Sequence, residues 1–172
     1  VADIAFGEAL GHGLATILPR RGAGADAVGK ALGIDIVPGS RASVGGDLTL
    51  LGVGPNQWLA HAAAIAPDWA DRLDERLAGV AGVVDQSAAY VLFEIGGNDA
   101  WRLLQKGLPL DLAPAAFVPG MVAVSAIAHI GVIVHLQADG RFLVAVFRSF
   151  AESFRHWLQV SIAAMQADGL MV

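Results

Sequence analysis

Apolar positions along this chain recur with two periods, and the switches between them order the elements. Extended runs bounded by Gly, Pro or Asp are expected at 3–6 (DIAF), 14–20 (LATILPR) and 88–97 (AAYVLFEIGG). Further runs fall at 121–129, 131–137 and 141–147, the last two joined by a tight turn at 138–140. Residues 47–62 give two extended pieces around Gly54-Pro55-Asn56. The 88–97 run is almost continuously apolar, which suits a strand inside a sheet.

Helical spacing appears in four places. Val28 and Leu32 share one face of a helix over 25–32 that Gly33 closes, and Trp69, Leu73 and Leu77 line another over 68–77. Asn98 is positioned to cap a helix over 99–106, with Gly107 as its terminator. The last helix opens with a capping-box spacing, Ser149 to Glu152. Its apolar stripe runs through Phe150, Phe154, Trp157, Leu158, Ile162 and Met165.

The order of elements repeats. GKALGIDIVPG at 29–39 and QKGLPLDLAPAAFVPG at 105–120 each close a helix, carry one Asp and end at Pro-Gly. The expected fold is therefore α+β: two related β-α-β units with helices packed on antiparallel or mixed sheets. A single domain over 1–172 is expected, made of pseudo-repeats at about 14–80 and 88–165. Asp35 and Asp111 read as turn residues that bond a nearby backbone N–H.

Composition narrows the function classes. Hydrophobic residues make up 55% of 172, enough for a core, and the mean hydropathy of +0.58 leaves a surplus for a partner or a membrane. The uncharged stretch 117–136 has nearly the length of a spanning helix, but Pro119, Gly120 and its Val and Ile content make it two strands. No membrane span is expected, and Asp3 and Glu8 stand where a secretory leader would be basic, so a cytoplasmic location is expected. A formal charge of −5 with scattered bases argues against nucleic acid. With no cysteine, disulfides, thiolate metal sites and cysteine nucleophiles are excluded.

Catalytic, cofactor and metal residues are all expected to be none. His129 and His135 share a strand face by spacing, yet no third ligand accompanies them, so a partly buried, hydrogen-bonded pair is expected. His12, His61 and His156 are isolated in sequence. GHGLAT and GVGPNQ lack the features of phosphate-binding loops, and Ser87 in VDQSAAY has no marked base, so it reads as a turn residue. The candidate interface residues are Trp58, Trp101, Phe117, Phe150 and Trp157, because large aromatics anchor interfaces.

GPNQWL at 54–59, the stretch 84–120, AHIGVIVH at 128–135 and RSFAESFRHWL at 148–158 together resemble the gamma subunit of heterotetrameric sarcosine oxidase. The likeness spans about residues 48–160, with Leu108 standing where that family often has cysteine. It implies a shortened relative of the folate-binding fold of the glycine-cleavage T protein. It also implies an accessory, non-catalytic role beside a large alpha subunit and a flavin-carrying beta subunit. FAD, FMN, NAD and tetrahydrofolate would then belong to the complex, and none to this chain. The N-methyl amine oxidised is left open. The rival expectation, from the same fold, is a stand-alone folate-binding one-carbon transferase.

Overall fold

The computed structural model describes residues 2–168. In chain order these form β1 (Ala5–Ala9), β2 (Gly13–Pro19), α1 (Ala25–Leu32), β3 (Ala42–Gly45), β4 (Leu48–Gly54) and β5 (Gln57–Ala62). Next come α2 (Trp69–Arg76), β6 (Ala81–Asp85), β7 (Tyr90–Gly96), α3 (Ala100–Gln105) and β8 (Val122–Ile127). The chain continues through β9 (Ile130–Leu136), β10 (Phe142–Phe147), a 3-10 turn (Arg148–Phe150) and α4 (Ala151–Asp168).

One compact unit is Leu10–Ala89; the other combines the stretch up to Ala9 with Tyr90 onward. Each holds one five-stranded sheet, ordered β3-β4-β5-β2-β6 and β8-β9-β10-β7-β1. Every pairing is antiparallel. The two orders are the same plan, with one exchange. β1 precedes β2 in the chain but pairs with β7, while β6 precedes β7 but pairs with β2.

Period-2 strands expose one apolar face, and each sheet buries it under helices of its own unit. In the first unit Val28 and Leu73 from the helices, with Leu77 just past α2, meet Ile17 and Leu50 from the sheet. In the second, Leu103, Phe154 and Leu158 meet Phe93, Ile95, Val132 and Val144. Phe154 is fully buried and lies edge-on to Phe93, with ring centroids 5.0 Å apart. Burying such a ring contributes about 1.5–3 kcal/mol.

Several local expectations fail for identifiable reasons. β3 (Ala-Ser-Val-Gly) and β6 (Ala-Gly-Val-Val-Asp) lie outside the expected runs, because Gly, Ser and Asp leave each with too few apolar positions to show alternation. β1 starts two residues later than the run at 3–6 because Asp3 is engaged elsewhere. The Asp3 carboxylate accepts hydrogen bonds from the Asn98 backbone N–H (3.1 Å) and side-chain amide (2.8 Å). That contact draws Asn98 away from capping, and Asp99 occupies the N-cap position of α3 instead. Glu152 pairs with Arg155 rather than completing a capping box. Phe150 falls in the 3-10 turn, 48% exposed and outside the α4 stripe.

The expected histidine pair does not form. His129 sits in the two-residue turn joining β8 to β9, where Ala128 and His129 both have positive φ (47° and 69°). His135 lies near the far end of β9, 7% exposed, and its Nδ1 has no hydrogen-bond partner among the described residues. Burial lowers its pKa below the ordinary 6.5, against a smaller opposing pull from Asp139.

Two predictions follow from the packing. A Cβ on Gly107 would meet Ile127 Cγ2 and Trp157 Cζ2, each at 2.7 Å, whereas one on Gly131 would meet nothing within 4 Å. Gly107→Ala is expected to lower the urea-unfolding free energy by about 1–3 kcal/mol, and Gly131→Ala to leave it unchanged or raise it slightly. Because the folded pKa of His135 is depressed, the unfolded chain binds the proton first as pH falls through 6.5. Stability is thus fully present above that pH and declines below it, by at most about 1.4 kcal/mol per pH unit for this group. Urea midpoints measured from pH 8 to 5 should fall less steeply in His135→Leu than in the parent chain.

Candidate functional site

The two Asp-bearing corners are built differently. In the second, the Gln105 side chain crosses the loop, donating to the Leu110 carbonyl and accepting the Leu112 N–H at 2.8 Å. Asp111 accepts the Ala113 N–H at 2.9 Å, which is the expected turn role, and Gly120 reverses the chain at φ 86°. In the first corner, Ser43 Oγ accepts the Val37 N–H at 2.9 Å, while exposed Asp35 makes no hydrogen bond among the described residues. The backbone-bonding role expected of Asp35 is therefore held by Ser43, which is 2% exposed.

Ser87 is likewise absorbed by architecture. Its hydroxyl donates to Asp85 Oδ1 at 2.6 Å and accepts the Leu14 N–H at 3.1 Å, while its own N–H donates to the same Asp85 oxygen at 2.8 Å. Such a bridge closes the turn between β6 and β7 onto β2. His156 is exposed on α4. His12 and His61 are brought together: their rings stack at 4.9 Å, and His12 Nδ1 lies 2.7 Å from His61 Nε2. One nitrogen donates and the other accepts. No grouping of three or more His, Asp or Glu residues suited to a metal ion occurs among the described residues.

The candidate interface residues divide. Trp58 is 5% exposed and packed in the core of the first unit, which corrects its assignment to a surface. Phe117 is also 5% exposed, in the second unit's core, yet it lines a groove of about 250 Å³ there with Trp101, Leu112, Pro114, Pro119 and Phe142. The Arg102 guanidinium lies 5.2 Å from the Trp101 ring centroid. Trp157 is partly buried beside Phe154, and Phe150 is exposed. Near Phe150, Phe147 is 46% exposed and stacks on Tyr90 at 4.6 Å across the β7–β10 ladder. Partial burial raises the Tyr90 hydroxyl above its usual pKa of 10, so it is neutral at physiological pH. No helix among the described residues is long and apolar enough to cross a membrane.

Comparison with known proteins connects these features. The sarcosine oxidase, gamma subunit family matches residues 20–164. The chain is 31% identical over 140 residues to the sarcosine oxidase subunit gamma of Corynebacterium sp. (strain P-1), covering 78% of this chain and 65% of that protein. It is 30% identical over 142 residues to the same subunit of an Arthrobacter species, covering 79% and 68%. It thus spans 65% of the length of the first of these relatives. Among solved structures, the heterotetrameric sarcosine oxidase of Corynebacterium sp. U-96 in complex with pyrrole 2-carboxylate matches at TM-score 0.83 and 22% identity. That match covers 94% of this chain and 84% of the other. The glycine cleavage system aminomethyltransferase T of Bartonella henselae matches at TM-score 0.68 and 13% identity, covering 91% of this chain and 45% of that one. Those two likenesses establish a shared α+β fold, and with the sequence matches they show that this chain belongs to the sarcosine oxidase gamma subunit family.

Proposed function

We propose that the chain is a non-catalytic accessory subunit of a multi-subunit flavoenzyme. The complex would oxidatively demethylate sarcosine or a related N-methyl amino acid and pass the one-carbon unit to tetrahydrofolate. The observation that carries this reading is the family match over residues 20–164, which takes in most of both sheets and both corners. In support, Ser87 and Asp111 hold turns, and His135 is enclosed on β9. On this reading FAD, FMN, NAD and tetrahydrofolate sit on a large alpha and a flavin-carrying beta subunit, in the cytoplasm.

The chain's contribution is then surface. Phe147, Phe150 and Val160 are 46%, 48% and 54% exposed, and Trp101 and Trp157 are partly so. Covering such side chains contributes about 25 cal/mol per Å² before the cost of association is subtracted. The two equivalent strand orders fit a single domain that arose by duplication of one β-α-β unit. Co-production with the alpha and beta subunits of its own complex is expected to yield a stoichiometric assembly on size exclusion; a chain that never co-elutes refutes the reading.

A second reading is favoured by the fold shared with an aminomethyltransferase. The chain would bind folate itself as a one-carbon transferase. Titration of the purified chain with tetrahydrofolate separates the two: the accessory reading expects no saturable binding up to concentrations on the order of 1 mM.

A further inference from the structure

Four strands end the two sheets, and three of them carry a feature that discourages further pairing. β3 is four residues long and runs into Gly45-Gly46. β6 ends on Asp85, whose carboxylate is tied to Ser87. β1 contains Gly7 and Glu8, and Glu8 is engaged by Arg155. β8 has none of these. Its six residues, Val-Ala-Val-Ser-Ala-Ile, include no charge, no proline and no glycine.

The hairpin turn dictates which main-chain groups of β8 are left open. Ile127 and Ile130 flank a two-residue loop, so they exchange both of their hydrogen bonds. Alternation along an antiparallel pair then assigns Ser125 and Ala123 to β9 as well. Val122, Val124 and Ala126 aim their N–H and C=O groups the other way. Among the described residues no backbone group bonds them there. Val124 stands opposite Ile133 with its side chain 59% exposed, and Ala126 is exposed too.

We propose that the open edge of β8 receives an extended, uncharged strand from another subunit of the complex. That strand bonds the main chain of Val122, Val124 and Ala126 and covers the Val124 side chain. The proposal rests on the accessory-subunit reading above. Its occupant is a different polypeptide rather than a second copy because of area. A six-residue strand is about 20 Å long and a sheet about 10 Å deep, so self-pairing covers about 400 Å² in total. A stable complex needs roughly 1,200–2,000 Å². A large partner can supply the remainder by also covering Phe147 and Phe150, whereas a two-fold contact limited to β8 cannot.

The test uses the full chain and the purified alpha and beta subunits of its own complex. Proline at 124 deletes an outward N–H and leaves the β8–β9 bonds in place. Val124→Pro and Val124→Lys are expected to weaken association at least about tenfold while melting close to the parent chain. In hydrogen exchange, the amides of Val122, Val124 and Ala126 should exchange fast in the free chain and become protected in the complex. An assembled complex in which these amides still exchange freely, or in which both variants bind like the parent, overturns the edge proposal and leaves the accessory reading standing. If Val124→Pro does not fold, exchange on the parent complex decides. Absence of any complex removes both readings, and protection appearing in the isolated chain as it dimerises replaces the partner strand with a second copy.

Discussion

The packing of Phe154 against Phe93 is the contact from which most of the second unit takes its position. An edge-on pair of rings, both nearly inaccessible to water, fixes α4 over the middle of the sheet. With α4 placed, Trp157 stacks beside Phe154 at 5.9 Å and closes on Gly107, where no side chain fits. That close approach sets the exit from α3, and with it the corner that Gln105 and Asp111 then stitch together. The first unit uses a related device: the Trp69 ring of α2 lies on Gly13 of β2, again where a Cβ would collide, at 2.4 Å. In each unit an indole held against a glycine lets a helix approach more closely than ordinary side chains permit.

Much of this was legible in the residues, because periodicity reports burial directly. The helix at 25–32 has the expected bounds and ends at Gly33 with φ 67°. The pieces on either side of Gly54-Pro55-Asn56 are the antiparallel pair β4 and β5, with Asn56 at φ 50°. What the sequence concealed depends on partners far along the chain. Asn98 has the residue type of a cap, but its side chain is bonded to Asp3, which lies 95 positions away in the chain. Phe150 has helical spacing with Phe154 but lies immediately before α4, in the 3-10 segment.

The candidate site was less legible for the same reason. His12 and His61 touch only because β2 pairs with β5 in the register that sets Leu14 opposite His61. Register is a property of two segments at once, and neither segment alone carries a signal for it. The aromatic residues show the converse limit. A tryptophan at a helical or strand face has the same local pattern whether it packs inward, as Trp58 does, or lines a groove, as Trp101 does.

The exchange of β1 and β6 between the two sheets bears on how the polypeptide acquires its shape as it leaves the ribosome. Residues 10–89 are contiguous, so their sheet can close while the chain is still growing. β1 emerges before that unit and yet has no ladder to join until β7 follows, where Ala5 pairs with Gly96. β1 is thus made ahead of residues 10–89 yet paired only after them, and through that interval its backbone groups stay open to water or to a chaperone.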